Sequence, residues 1–158
     1  MEVKNIMVKK VITLKPTDTI KDAVEKFAAH KISGCPVIDE NHEVVGIFSE
    51  TDLLDSLKTH SREVRMLYPP YIPIGISFVE TKKQKEILTA LKETGNTQIR
   101  EVMKKSVVKV SPEDTIEHAL QLMVQNRVNR LPVVKDGKLV GIVTRGDIIK
   151  GLYDKATS

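Results

Sequence analysis

The sequence predicts an α/β protein built from two copies of one β-α-β-β-α repeat, with a further segment inserted between them. Three observations carry this reading. The halves align in order with a single gap, each half alternates β-branched runs with helix-period segments, and the middle stretch fits neither half.

The alignment runs at an offset of 96: Ile6-Met7 meets Val102-Met103, and Asp18-Thr19-Ile20 returns as Asp114-Thr115-Ile116. Pro36-Val37 returns as Pro132-Val133. One extra residue within Asp39–His42 shifts the offset to 95, after which Val45-Gly46-Ile47 meets Val140-Gly141-Ile142 and Asp52 meets Asp147. Order-preserving identity of this length marks a duplication. It sets a first repeat at residues 1–58, a connecting segment at 59–98 and a second repeat at 99–158.

Each copy opens on a β-branched run, Val11–Leu14 or Val107–Val110, expected to be a strand. Pro16 and Pro112 interrupt it, and the Asp-Thr that follows offers either residue as a helix N-cap. Ile20, Ala23, Val24 and Phe27 then recur at helical spacing, as do Ile116, Ala119, Leu120 and Met123. Strands are expected to start at Pro36 and Pro132, where a missing N–H is tolerated. The turns Asp39–His42 and Asp136-Gly137 lead to third strands at Val44–Phe48 and Leu139–Val143. Closing helices follow near Glu50–Leu57 and Arg145–Leu152.

The connecting segment holds Tyr68-Pro69-Pro70-Tyr71-Ile72-Pro73, which reads as extended, and Ile74–Val79, whose alternation suits an added strand. Thr81–Thr94 reads as a helix with Ile87, Leu88 and Leu91 on one side and Gly95 as its C-cap. Its apolar content predicts packing against the repeats or a second chain.

Composition narrows the function. With 41% hydrophobic and 29% charged residues the chain is expected to fold. The net charge of +4 is spread among interleaved acids and bases, aromatics are 4% and Trp is absent. A nucleic-acid surface would instead show a dense basic stripe or a base-stacking platform, so nucleic acid is not an expected partner. No apolar run reaches membrane-spanning length, and the start lacks the pattern of a signal peptide. A single cysteine, Cys35, beside Pro36 on an apolar strand, suits burial in a reducing compartment. The expected location is the cytoplasm. His30, His42, His60 and His118 have no metal-like spacing, and no phosphate loop or nucleophile motif is present, so neither a metal nor an enzymatic reaction is expected.

The chemistry-bearing pattern is Gly46-Ile47-Phe48-Ser49-Glu50-Thr51-Asp52, repeated as Gly141-Ile142-Val143-Thr144-Arg145-Gly146-Asp147. A hydroxyl residue ends a strand, and an aspartate follows three positions later. This spacing is that of a capping box. It also suits a site where the carboxylate accepts ribose hydroxyls while the hydroxyl and free amides face a phosphate. The two readings are compatible.

The ordered set of these motifs, in two copies, resembles a tandem pair of CBS (cystathionine β-synthase) domains over about residues 3–57 and 99–152. The resemblance implies two α/β repeats in a pseudo-twofold arrangement, forming a stand-alone regulatory module. It implies an adenosyl ligand, AMP, ADP, ATP or S-adenosylmethionine, with no resident cofactor, and further association into a homodimer. It also implies sites drawn from both repeats. One would use Ser49 and Asp52 with Val108, Val128, Asn129 and Arg130; the other Thr144 and Asp147 with Ile12, Ile32, Ser33 and Gly34. Arg130 matches a position that meets phosphate in this family, whereas its counterpart is Gly34. Arg145 stands between Thr144 and Asp147, where the first copy has Glu50. The site of Asp52 and Arg130 is therefore expected to prefer phosphorylated adenosines. The protein target is left unspecified. A non-catalytic scaffold whose aspartates only cap helices stands as the alternative, and a nucleic-acid binder using the basic middle segment as a third.

Overall fold

The computed structural model describes residues 1–58 and 81–158. Along it run α1 (Ile20–His30), β1 (Gly34–Ile38), β2 (Val44–Ser49), α2 (Glu50–Lys58), α3 (Thr81–Thr94), α4 (Ile99–Val102), α5 (Ile116–Asn126), β3 (Arg130–Lys135), β4 (Lys138–Thr144) and α6 (Arg145–Thr157), with a 3-10 turn at Val3–Asn5 before them. The protein is a mixed α/β fold in which β1 pairs with β2 and β3 with β4.

Threonine, not aspartate, caps the first helix of each repeat. Thr19 Oγ1 accepts the Asp22 N–H at 3.2 Å, and Thr115 Oγ1 accepts the His118 N–H at 3.1 Å. The preceding aspartates hold the turn that leads in: Asp18 Oδ2 accepts the Lys15 N–H and Asp114 Oδ2 the Ser111 N–H, both at 2.8 Å. Both helices end on a non-glycine residue in the left-handed region, Lys31 (φ 54°) and Arg127 (φ 55°). Such a residue costs about 1 kcal/mol of backbone strain, offset by the capping bond its N–H makes.

The β-branched runs expected to be strands are not strands. Val11–Leu14 and Val107–Val110 form no strand ladder, and only their last residues form isolated bridges. Val110 donates to the Pro132 carbonyl at 3.1 Å and accepts from the Val134 N–H at 2.8 Å. Beyond it the Ser111 N–H turns to Asp114 and Pro112 has none to give, so no ladder can grow. The same geometry explains Pro132. A residue's N–H and C=O point to one side of a strand, and its C=O faces Val110, so its missing N–H falls on the side with one bridge rather than on β4. β1 and β3 accordingly begin two residues before Pro36 and Pro132. The β3–β4 turn places Asp136 (φ 52°) and Gly137 (φ 79°) both in the left-handed region, as a two-residue hairpin requires.

Contacts divide the chain into two compact units. One comprises Met1–Thr13, Cys35–Ile47 and Lys105–Ser158. Its core includes Val3, Val110, Met123, Leu131, Val143 and Ile148. Val3 belongs there because the first residues dock on the second repeat: Val3 N–H donates to Asp114 O at 2.8 Å, and Val8 and Ile142 exchange backbone bonds of 2.9 and 3.0 Å. Gly141 permits this approach, since a β-carbon there would lie 3.1 Å from the Val8 carbonyl and 2.6 Å from Met7 Sδ.

The other unit comprises Leu14–Gly34 and Phe48–Lys104. It buries Leu14, Ile20, Phe27, Phe48 and Ile99, with the Phe27 and Phe48 rings stacked at 6.1 Å. Here the second repeat's lead-in docks on the first repeat's helix. Ile20 N–H donates to Thr97 O at 2.9 Å, and Ile99 N–H to Asp18 O at 2.7 Å. Each repeat thus receives the other's lead-in.

α3 forms where its periodicity predicts, but its buried side differs. Ala90 packs with Leu57 and Leu53 of α2, while Leu88 is 63% exposed among the described residues. At about 100° per residue, a face centred on Ala90 turns Leu88 nearly opposite. Gly95 follows the helix, donating to Leu91 O at 3.0 Å with φ outside the left-handed region. The expected extended Tyr68–Pro73 and strand Ile74–Val79 lie outside the described residues.

Candidate functional site

At both strand-to-helix junctions one carboxylate oxygen receives the backbone N–H and the hydroxyl of the residue that ends the strand. Ser49, ending β2, donates its backbone N–H and its hydroxyl to Asp52 Oδ2, at 2.9 and 3.0 Å. Thr144, ending β4, donates both to Asp147 Oδ2 at 2.9 Å, and its Oγ1 accepts the Asp147 N–H at 3.3 Å. A short hydroxyl residue ending the strand and a carboxylate three residues on can satisfy each other's free donors, and at Thr144–Asp147 both directions are made, which is why the sequence folds this way locally. The same box forms at Thr19 and Asp22, with bonds of 2.9 and 3.1 Å to Asp22 Oδ2. Those bonds, from the Thr19 backbone first and its hydroxyl second, hold the Asp22 carboxyl below the usual carboxylate range. Capping by itself therefore does not mark a ligand site.

Asp52 is set apart by its surroundings. Its side chain is 4% exposed, and Oδ1, which the box leaves out, lies 3.6 Å from the Lys104 ammonium, itself on a side chain 61% exposed. Sequence reasoning missed Lys104. The available signal was the repeat register, which sets Lys104 against the uncharged Val8.

The segments ahead of β1 and β3 reach the junctions of their own repeats. Ser33 O accepts the Glu50 N–H at 2.9 Å, and Asn129 O accepts the Arg145 N–H at 3.1 Å. Each carbonyl thus satisfies the first free N–H of the helix that follows. Arg130 pairs in register with Thr144, placing its backbone opposite the second junction. Ile32 and Ser33 line an open cleft of about 470 Å³ together with Val24, Phe27, Ala28, Lys31, Glu50 and Leu53. Ser49 and Asp52 are not in its lining, though their chain neighbours Glu50 and Leu53 are.

The remaining expected residues are placed as follows. Val108 and Val128 are half-buried and pack against the core that holds Val110 and Leu131. Ile12 is half-buried on the segment before α1, and Gly34 is buried at the start of β1. Arg145 is exposed at the head of α6. Cys35 is buried and makes no disulfide.

Among the described residues, no group of three or more His, Cys, Asp or Glu side chains is placed to hold a metal ion. No helix among them is long and apolar enough to cross a membrane.

Known proteins share this architecture. The uncharacterized protein MJ1426 of Methanocaldococcus jannaschii is 39% identical over 154 residues, covering 96% of this chain and 91% of that protein. The chloroplastic CBS domain-containing protein CBSX2 of Arabidopsis thaliana is 34% identical over 140 residues, covering 87% of this chain. The match takes in only 56% of CBSX2 itself. A crystal structure of CBSX2 in complex with AMP is 27% identical, covers 98% of each chain and superposes with a TM-score of 0.70. The CBS domain profile matches residues 3–59 and again 99–154. With both repeats matched and the fold shared, the chain belongs to the CBS domain family, as a pair of CBS repeats.

Proposed function

We propose that this chain is a non-catalytic regulatory module that binds an adenosyl ligand of the AMP, ADP, ATP or S-adenosylmethionine class. The carrying observation is how the junction carboxylates are used. In Asp52 and Asp147 alike, Oδ2 is committed to the cap while Oδ1 takes no part in it. An oxygen so placed at the head of a helix suits the two hydroxyls of a ribose, and nearby N–H groups suit a phosphate. Asp52 with Ser49, and Asp147 with Thr144, are the assigned ribose-binding pairs. Arg130, Asn129, Val108, Val128, Ile12, Ile32, Ser33, Gly34 and Arg145 are the further residues assigned to the ligand. The crystal structure of CBSX2 with AMP supports this ligand class.

Signalling is assigned to a homodimer in the cytoplasm acting on a protein partner. α5 and α6 pack together and leave Val124, Ile149 and Tyr153 between 62% and 67% exposed, which supports a self-associating face. Ligand that binds one arrangement of the repeats better than another would shift the population a partner reads.

The second reading is a scaffold whose aspartates only cap. The Thr19–Asp22 box favours it, because the same bonds form there outside the assigned site. Calorimetric titration with AMP, ADP, ATP, S-adenosylmethionine and GTP separates the two. Saturable adenosyl binding that weakens about ten- to hundredfold in Asp52→Ala or Asp147→Ala supports the sensor. Silence across the panel from folded, nucleotide-free protein favours the scaffold.

A further inference from the structure

Asp52 combines a buried carboxylate with a solvent-facing cation, and the two oxygens have separate duties. Oδ2 already receives two hydrogens from Ser49. The remaining acceptor, Oδ1, faces the Lys104 ammonium at 3.6 Å. Any diol that binds Asp52 must take this oxygen, so diol and ammonium compete for one atom. A lysine ammonium is a compact charge on a flexible stem, and this one is largely in water, so it can leave Oδ1 at low cost. It stays tethered beside the site, and the most favourable new partner within its reach is an anionic group on the ligand itself.

We propose that Lys104 is an exchangeable cation of the Asp52 site: it occupies Oδ1 when the site is empty and moves to the ligand's phosphate when a ribose takes that oxygen. The site thereby selects phosphorylated over uncharged adenosines. A neutral nucleoside displaces the ammonium and returns nothing; a nucleotide replaces the carboxylate with a phosphate. The inference rests on Asp52 being the ribose acceptor. Among the described residues the second repeat shows no equivalent cation: its corresponding position is Val8, bonded through its backbone to Ile142, two residues before Thr144. The sites should therefore differ in how strongly they require a phosphate.

The test compares AMP with adenosine by calorimetry on the whole chain, for the wild type and for Lys104→Met, Lys104→Arg and Asp52→Ala. Lys104 is exposed, so its replacement leaves the core untouched. The expected result is that Lys104→Met weakens AMP at the Asp52 site about tenfold while adenosine is unchanged or tighter, and Lys104→Arg keeps the wild-type ratio. AMP binding to the wild type should also weaken more with added salt than in Lys104→Met. An unchanged AMP-to-adenosine ratio in Lys104→Met overturns the inference, and if Asp52→Ala still lowers affinity the ribose reading survives. Full binding in Asp52→Ala overturns both.

Discussion

Asp147 receives on a single oxygen both hydrogens that Thr144 donates, each at 2.9 Å, and returns its own N–H to the threonine hydroxyl at 3.3 Å. The link ties the end of β4 to the head of α6 and leaves the other carboxylate oxygen outside the box. The cap and the proposed ligand contact thus fall on one side chain, and variants can separate them.

Removing the box should cost about 1 kcal/mol wherever it occurs, the usual worth of an N-terminal cap. Asp22→Ala and Asp147→Ala are expected to lower the urea midpoint by similar amounts. Only Asp147→Ala should also weaken adenosyl binding in titration. Equal loss of affinity in Asp22→Ala would point to a general effect of instability instead.

The Asp22 box also gives a pH dependence of known sign. Bonds from Thr19 depress its folded pKa below the unfolded value of about 3.9. The charged form therefore stabilises the fold above that value, and the contribution disappears as pH falls through the folded pKa. In denaturant melts the wild type should exceed Asp22→Asn in stability near neutrality, and the gap should close as pH falls through the lowered folded pKa. A gap that widens on acidification would contradict the hydrogen-bonded carboxylate.

The docked N-terminal segment should behave as part of the second repeat's core. Val3 is fully buried with Val110 and Ile148, so Val3→Ala is expected to destabilise by about 1–3 kcal/mol. Gly141→Ala forces its methyl against Met7 and the Val8 carbonyl, and should cost about 1–3 kcal/mol. Hydrogen exchange reads this directly, because the Val8 and Ile142 amides that bridge the two segments should exchange faster in Gly141→Ala.

At the β3–β4 turn, Gly137 holds φ of 79° beside an open space, its nearest neighbour being Glu43 Oε1 at 3.7 Å from a built β-carbon. Gly137→Ala therefore tests backbone strain rather than crowding. A loss of about 1 kcal/mol in thermal or denaturant unfolding is expected, with ligand affinity unchanged.

What the sequence determined by itself lies within short reach along the chain. Helix periodicity placed α1, α5 and α3, the Ser49–Asp52 and Thr144–Asp147 spacings foretold their boxes, and Asp136-Gly137 foretold its turn. These are interactions between residues a few positions apart, so local sequence specifies them almost completely. Whether Val107–Val110 pairs as a strand or makes one bridge depends on where Asp114 sends its carboxylate and on the proline beside it. The choice of Ala90 over Leu88 as the buried side of α3 depends on the surface α2 offers. The exchange of lead-ins, with Val3 in the second repeat's core and Ile99 against the first, joins residues about a hundred positions apart that no local propensity links. That exchange also delivers Lys104 to Asp52 and puts Val8 on the other repeat, a difference between the two strand-to-helix junctions that only the tertiary structure decides.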